Sequence, residues 1–309
     1  MSDFYLRYEF WFAATQLALA MLGMGATLRI RDFVAVFRQP KALAYGLGIQ
    51  ALLVPLFAWA IISLASPAAG VAVGLALIAA IPGGTMSNVF TFLARGHVAL
   101  SIAMTAVTSF LCLVTTPIVL GLLISDLVPA DFDMPAGKIA LEITLILMLP
   151  LILGMIVLEV FPAIAARFSK YCIRASIFVI VLIVIGAASA GRIDFSGFAQ
   201  RDLVILLAFV IGVAIVSWLA PRMLGLTTPE STAINIEVTV RNTNLGLLIK
   251  ASLFPATVGV LDPIGDMVLF TVLLYGALVL PIAAVQIYLH GLGNKAMAAA
   301  GKISGASEC

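Results

Sequence analysis

Long runs of apolar residues, separated by short polar segments, follow one another along the whole chain. A helix needs about 20 apolar residues to cross the hydrocarbon core of a bilayer. The pattern predicts an all-α polytopic membrane protein with nine transmembrane helices. The runs lie near residues 10–28, 41–64, 71–95, 98–124, 138–160, 171–190, 203–223, 229–254 and 266–290.

Two of the nine runs are unlike the others. The third contains Pro82, Gly83 and Gly84 at its centre. Proline removes a backbone donor and glycine tolerates non-helical dihedral angles, so this helix is expected to be interrupted at mid-membrane depth. The eighth run has no proline, but polar side chains fill its centre: Asn235, Glu237, Thr239, Arg241, Asn242, Thr243 and Asn244.

The two unusual runs also resemble each other. In each, an asparagine is followed by an apolar half-helix, at Asn88 and at Asn242. The runs are five spans apart, so they cross the membrane in opposite senses. This placement predicts an inverted repeat of spans 1–4 and 6–9, with the fifth span as the connector.

Composition and charge narrow the class further. Of the 309 residues, 63% are hydrophobic and only 10% charged, whereas soluble domains carry about 25% charged residues. The chain has no basic run suited to nucleic acid, so its partner is expected to be the lipid bilayer and not DNA or RNA. Three cysteines without metal-binding spacing predict no metal site of that kind.

The distribution of lysine and arginine predicts the orientation. With the N-terminus outside and the C-terminus in the cytoplasm, eleven basic residues lie in cytoplasmic segments and four in outer ones, as the positive-inside rule requires. The eleven are Arg29, Arg31, Arg38, Lys41, Arg95, Arg167, Lys170, Arg174, Arg222, Lys295 and Lys302.

Glu237 and Arg241 raise a chemical question, because an ionisable side chain at the bilayer centre costs about 2.5–3.5 kcal/mol even on the lenient insertion scale. One interpretation is a structural pair, since residues at i and i+4 of one helix can neutralise each other. The other is a cation site, because carboxylate, amide and hydroxyl oxygens suit a hard cation such as Na⁺. Lys250, near the end of the eighth span, is expected to extend toward the membrane surface.

Three segments resemble the bile acid:sodium symporter family, and the similarity points to its bacterial members: "PGGTMSNVFTFLARGHVALSIAMT" (82–105), "IEVTVRN" (236–242) and, more loosely, "GMGATLRIRDF" (23–33). The resemblance implies an integral protein of a bacterial inner membrane that takes up an organic anion with sodium by alternating access. It implies a core domain from about 41–124 and 203–290 and a panel domain from about 10–28 and 138–190. Two broken helices cross at the midplane of the core.

The resemblance also implies binding residues. The first sodium site is expected at Ser87, Asn88, Ser101, Thr105 and Glu237. The second would use Gln50, Glu237, main-chain oxygens near Val238 and Val240, and position 241. The family places glutamine at this last position, but this chain has Arg241, which cannot bind a cation. The chain is therefore expected to couple at most one sodium ion. The substrate cavity is expected at Thr85, Asn88, Arg241, Asn242 and Thr243.

The sequence disfavours some other functions and leaves others open. An enzyme is not expected, because the spans hold no Ser/His pair, paired aspartates or histidine cluster. Arsenite export on a related architecture is disfavoured because residues 82–95 and 235–245 contain no cysteine. Sodium-independent or proton-coupled transport, and a sensor on the same scaffold, stay open. So do the oligomeric state and the substrate, which in the family ranges from bile acids to small hydroxy acids, keto acids and sulfonates.

Overall fold

The structure is a computed structural model that describes residues 2–29, 40–125, 127, 134–193, 198–260 and 262–306. For residue 2 and residues 292–306 it describes the backbone alone. Arg31, Arg38 and Cys309 lie outside the described residues, as does part of the segment 23–33 quoted above.

The described part of the chain forms α-helices joined by short connections. In chain order they are α1 (Ser2–Gly25), α2 (Pro40–Ala65), α3 (Ala69–Ala80), α4 (Met86–Leu93), α5 (Val98–Ile124), α6 (Ala136–Val160), α7 (Pro162–Ser189), α8 (Gln200–Met223), α9 (Thr228–Thr239), α10 (Thr243–Leu253) and α11 (Pro263–Ala306). The all-α fold class is confirmed in these residues.

Six of the described helices are long and apolar enough to cross a membrane: α2, α5, α6, α7, α8 and the part of α11 up to Gly291. They match six of the nine predicted spans. The first predicted span is α1, which is less apolar because it carries Glu9 and Gln16. The third and eighth are each divided into two shorter helices, α3 with α4 and α9 with α10. The count of nine and the inverted repeat stay predictions.

The helices pack as two groups. In the first group α1 lies along both α6 and α7. Small residues allow this close approach: a Cβ atom on Gly25 would lie 2.0 Å from the carbonyl oxygen of Leu151, and one on Gly154 would lie 2.3 Å from that of Leu22. The second group contains the two interrupted spans, with α3 packed on α5 and α11, and α9 packed on α8. The helix α10 contacts α1 and so connects the groups.

Candidate functional site

The two interrupted spans meet where each one leaves the helical conformation. Their extended segments pair antiparallel. The backbone N–H of Gly84 donates to the carbonyl of Val240 at 2.7 Å, and that of Asn242 donates to the carbonyl of Pro82 at 2.9 Å. Backbone groups that a broken helix leaves free are thereby satisfied, as membrane depth requires.

Two glycines make this crossing possible. A Cβ atom on Gly83 would lie 2.0 Å from Oε1 of Glu237, and one on Gly84 would lie 2.8 Å from the carbonyl oxygen of Arg241. Any larger residue would therefore push the two segments apart. The glycines bring the Glu237 carboxylate directly against the opposite segment.

The carboxylate of Glu237 lies in a cluster of oxygen atoms supplied by α4 and α5. Ser87 Oγ and Ser101 Oγ donate to its Oε2 at 2.5 Å and 2.9 Å, and Thr105 Oγ1 donates to its Oε1 at 2.5 Å. Asn88 Oδ1 lies 2.9 Å from Ser101 Oγ and 3.4 Å from Thr105 Oγ1. The structure thus brings together all five residues that the family resemblance assigns to a first sodium site.

The cluster contains more acceptor oxygens than hydroxyl protons. Three hydroxyl groups, with one proton each, face both oxygens of Glu237, the amide oxygen of Asn88 and the carbonyls of Gly84 and Ser101. Glu237 is fully buried, and within the described residues it forms no ion pair. Such a group of hard oxygens around a buried negative charge is suited to a small hard cation.

Arg241 is buried beside this cluster but contacts a different region. Its Nη1 donates to the carbonyl of Ile81 at 2.9 Å, while Nε and Nη2 have no hydrogen-bond partner among the described residues. The Ile81 carbonyl is free to accept because the chain leaves the helix just before Pro82. Within the described residues Arg241 and Glu237 do not form an ion pair.

Gln50 lies near Arg241, in an irregular part of α2. Residues Ile49–Leu53 form a π-helical turn just before Pro55, which cannot donate a backbone hydrogen bond. The Gln50 side chain is buried, and its Oε1 has no hydrogen-bond partner in the part of the chain that the structure describes. With Arg241 it lines a small cavity of about 30 Å³ between α2, the end of α3 and α5. Val238 and Val240, whose main-chain oxygens are expected to contribute to the second sodium site, are buried at the end of α9.

The five residues expected to line a substrate cavity have different surroundings in the structure. Thr243 lines a cavity of about 500 Å³ between α7, α10 and α11, whereas Arg241 lines the small one beside Gln50. Asn242 is buried and its Oδ1 accepts from the backbone N–H at the start of α10. Asn88 belongs to the oxygen cluster, and Thr85 is partly buried at the start of α4.

Comparison with known proteins identifies the family. Residues 14–196, more than half of the chain, match the model described as the Sodium Bile acid symporter family. The chain belongs to the sodium bile acid symporter family. The resemblance recognised in the sequence is therefore confirmed, and this is a family of transporters and not of enzymes.

Relatives of this sodium bile acid symporter family member come from several kingdoms. The chain is 32% identical over 243 residues to the uncharacterized sodium-dependent transporter YocS of Bacillus subtilis, covering 77% of this chain and 73% of that protein. It is 32% identical over 241 residues to the probable sodium/metabolite cotransporter BASS2, chloroplastic, of Oryza sativa subsp. japonica, covering 77% and 56%. It is 26% identical over 196 residues to the sodium-dependent organic anion transporter of Bos taurus, covering 63% and 51%. The chain thus spans little more than half the length of the last two.

Sequence reasoning missed a polar network that holds the helix carrying Glu237. Asn235, on the same helix, donates from Nδ2 to Ser217 Oγ at 2.8 Å, and its Oδ1 lies 3.1 Å from Gln286 Nε2 and 2.8 Å from His290 Nε2. Gln286 and His290 are four residues apart in α11 and share one face of that helix. This spacing of two polar residues in an apolar span is the sequence signal that could have revealed the network.

The expectation for Lys250 was wrong. Its side chain does not extend to the membrane surface but is fully buried, and Nζ lies 2.7 Å from Oε1 of Glu9 in α1. A partner within reach made burial possible, because an ion pair removes the cost of a lone charge. Glu9 was not singled out as a partner, since it lies at the edge of the first apolar run.

Proposed function

We propose that this protein is a sodium-coupled symporter that moves a small or amphipathic organic anion by alternating access. Family membership supports transport, and the names of the relatives support the ion and the cargo: two are called sodium-dependent and one a sodium/metabolite cotransporter. The bovine relative is named for organic anions. In this proposal sodium is a transported ion and not a resident cofactor.

The observation that carries the proposal is the oxygen cluster around Glu237. Burying an uncompensated carboxylate is costly, and three hydroxyl donors are its hydrogen-bond partners in the described part of the chain. A sodium ion held by Ser87, Asn88, Ser101, Thr105 and Glu237 would neutralise the charge and use the surplus acceptor oxygens. Because α4, α5 and α9 all supply ligands, an ion would also tie together the two sides of the crossing.

Arg241 supports a stoichiometry of one sodium ion. Its guanidinium is a fixed positive charge beside Gln50, where the family pattern places a second sodium with Glu237, Val238 and Val240. The guanidinium of Arg241 donates a hydrogen bond to the carbonyl of Ile81, which the end of α3 leaves free. We infer that Arg241 acts as a built-in cation in place of the second ion.

The alternative role for Arg241 is to hold the substrate carboxylate. The cavity that it lines has a volume of about 30 Å³, enough for one or two water molecules and too small for an organic anion. The built-in cation is therefore the better supported role. Substrate would approach the crossing elsewhere, near Thr85, Asn88, Asn242 and Thr243.

The helix packing supports two domains in one transporter unit. The contacts of α1 with α6 and α7 support a panel made of these helices, and the remaining described helices would form the core. We propose that the core moves relative to the panel during transport, in a bacterial inner membrane with the N-terminus outside and the C-terminus in the cytoplasm. Ion and substrate would travel with the crossing of α3/α4 and α9/α10.

The proposal is tested first without substrate, by measuring thermal unfolding of the purified protein in detergent with NaCl or KCl at equal ionic strength. A ligand that binds only the folded protein raises its apparent stability by mass action, so sodium should raise Tm and potassium should not. Pyruvate, pantoate and taurocholate are then added in each salt. An anion that stabilises the protein only with sodium is tested for uptake into proteoliposomes. Equal Tm values in both salts, or uptake driven by a proton gradient alone, would refute sodium coupling.

A further inference from the structure

Among the described residues, three contacts between polar side chains join the group of α1, α6 and α7 to the rest of the bundle on one side, the side at which α1 and α11 begin. The contacting atoms lie within hydrogen-bond distance in each case. They are Lys250 Nζ with Glu9 Oε1 at 2.7 Å, Arg192 Nη1 with Asp266 Oδ1 at 2.5 Å, and Ser252 Oγ with Glu142 Oε1 at 2.9 Å.

The pair of Glu9 and Lys250 is the most buried of these contacts. The exposed fraction of the side chain is 6% for Glu9 and 1% for Lys250. Lys250 belongs to α10, the half-helix that begins directly after the crossing. Ser252, which contacts Glu142, lies two residues further along the same helix. The helix that leads away from the crossing is therefore held to α1 by a desolvated ion pair.

A second ion pair holds the segment that connects α10 to α11. Arg192, just after α7, donates to Asp266 at the start of α11 and also to the carbonyls of Thr257 and Val260 at 3.3 Å and 3.0 Å. One arginine thus holds both the segment that follows α10 and the helix that follows that segment. Its side chain is 2% exposed.

Among the described residues, the opposite side of the bundle contains a cavity in the corresponding place. A cavity of about 330 Å³ lies between the end of α1, α5 and α6, and is lined by Leu28, Arg29, Phe110 and Glu159 among others. The two helix groups are thus joined by polar contacts on the first side and separated by this cavity on the other, while the apolar cavity that Thr243 lines lies between α7, α10 and α11.

We propose that the ion pairs Glu9–Lys250 and Arg192–Asp266 form an ionic latch, which closes the route to the crossing from the side at which α1 begins and opens once in each transport cycle. The proposal rests on the proposed alternating-access function. Ion pairs suit a contact that must break repeatedly, because hydration of the separated charges offsets their lost attraction. Inside the first group, α1 and α6 instead meet by tight packing at Gly25 and Gly154, which water could not replace.

The first test measures access to the crossing without any substrate. Cys112, Cys172 and Cys309 are replaced by serine, and Leu247→Cys is introduced on α10, where Leu247 is 2% exposed and lines the apolar cavity beside Thr243. Both charges of the Glu9–Lys250 pair are then removed with Glu9→Gln and Lys250→Met, because a single change would leave a lone buried charge. A membrane-impermeant maleimide applied from the latch side should label the double variant roughly fivefold faster than the background, as the closed state loses population.

Gln16 and Ser176 supply a matched control. They form a buried hydrogen bond of 3.0 Å between α1 and α7, inside one helix group, so Gln16→Leu with Ser176→Ala should leave the labelling rate unchanged. A labelling rate that does not rise in the latch variant would overturn the proposal. An equal rise in the control, or an equal rise from both sides of the membrane, would do the same, because it would indicate general loosening.

The second test prevents the latch from opening. Glu9→Cys and Lys250→Cys are joined with a short bifunctional methanethiosulfonate, and uptake should fall roughly tenfold or more and return after reduction, because the open state is removed from the cycle. The same cross-link between Gln16→Cys and Ser176→Cys should leave uptake intact. Full transport by the cross-linked latch would overturn the proposal. If the uncross-linked protein takes up no anion, the proposed function fails, while the labelling test still decides whether the latch exists.

Discussion

Glu237 and Arg241 are four residues apart in the chain, yet their charged groups contact different parts of the molecule. The carboxylate accepts hydrogen bonds from hydroxyl groups of α4 and α5, and the guanidinium donates to the carbonyl of Ile81. Pairing at i and i+4 needs a continuous helix, but α9 ends at Thr239. The two charges therefore have separate environments, and their roles can be separated by substitution.

Glu237→Gln should weaken the stabilisation that sodium gives to the folded protein. The substitution keeps the shape of the side chain and removes its charge, and a hydrogen bond or ligand contact to a charged group contributes about 1.5–3 kcal/mol. The sodium concentration for half-maximal stabilisation should therefore rise at least about tenfold. In KCl the variant should be no less stable than wild type, because a neutral amide is cheaper to bury than a carboxylate. Thermal unfolding across a sodium titration measures both effects.

Glu230→Gln is the matched control for this prediction. Glu230 lies on the same helix, where its carboxylate accepts from the backbone N–H and the hydroxyl of Thr227 in a capping box. Glutamine can retain that box, so the sodium response should not change. If Glu237→Gln kept the full sodium-induced rise in Tm, the carboxylate would not be an ion ligand.

Arg241→Gln should restore a second sodium site. With the fixed guanidinium replaced by an amide oxygen, binding or uptake should depend more steeply on sodium concentration, with a Hill coefficient that rises from about 1 toward about 2. Substrate affinity at saturating sodium should stay close to wild type. A collapse of substrate affinity at every sodium concentration would instead assign Arg241 to the substrate carboxylate. No change in either quantity would make the residue structural.

Gln50→Ala tests the same site from the other side of the small cavity. In the wild-type background it should have little effect on the sodium response, because Arg241 fills the position. In the Arg241→Gln background it should remove the steepness gained by that substitution. This dependence on background is a coupling between two neighbouring residues and is measured with a double-mutant cycle. Equal effects of Gln50→Ala in both backgrounds would argue against a shared site.

Much of the crossing could be predicted from local sequence. Pro82 and the glycines after it end a helix by covalent geometry alone, and the structure ends α3 at Ala80. The hydroxyl and amide residues of the oxygen cluster were also found, since oxygen-bearing side chains are conspicuous in apolar spans. Their grouping around Glu237 was implied by family resemblance and by no spacing rule.

Contacts between distant spans were not predictable in the same way. The partner of Lys250 is Glu9, 241 residues away, and no local pattern links them. The direction of the Arg241 side chain depends on the end of α9 and on the free carbonyl of Ile81, which belong to different spans. Such features depend on how helices pack, and a single sequence shows only which residues each helix offers.

Gly83→Ala should disrupt the ion site through sterics alone. The added Cβ atom would lie 2.0 Å from Oε1 of Glu237, far inside van der Waals contact, so the carboxylate or the backbone must shift. Overpacking of this kind costs about 1–3 kcal/mol, and the sodium-induced rise in Tm should be largely lost. Gly121→Ala, in α5, is the control, because nothing lies within 4 Å of a Cβ atom there. If Gly83→Ala bound sodium as well as Gly121→Ala does, the close approach of Gly83 to Glu237 would be wrong.

Tyr275→Phe should weaken the anchor of the helix that carries Glu237. The Tyr275 hydroxyl is buried in α11 and donates to the carbonyl of Thr239, the last residue of α9, at 2.6 Å. Removing the donor leaves a buried carbonyl at a helix end without this partner, which costs about 1–3 kcal/mol. The variant should therefore unfold at a lower temperature than wild type in KCl, and it should need more sodium to recover the loss because Glu237 is held less firmly.

Tyr288→Phe is the control for a general effect of removing a tyrosine hydroxyl from α11. Tyr288 lies on the same helix but its side chain is 66% exposed, so its hydroxyl can be lost without stranding a buried partner. The Tm of this variant in KCl should equal that of wild type, and its sodium titration should be unchanged. Equal Tm values for the two phenylalanine variants would contradict the anchor. A lower Tm for Tyr275→Phe with an unchanged sodium midpoint would show that the hydroxyl stabilises the fold but does not position Glu237.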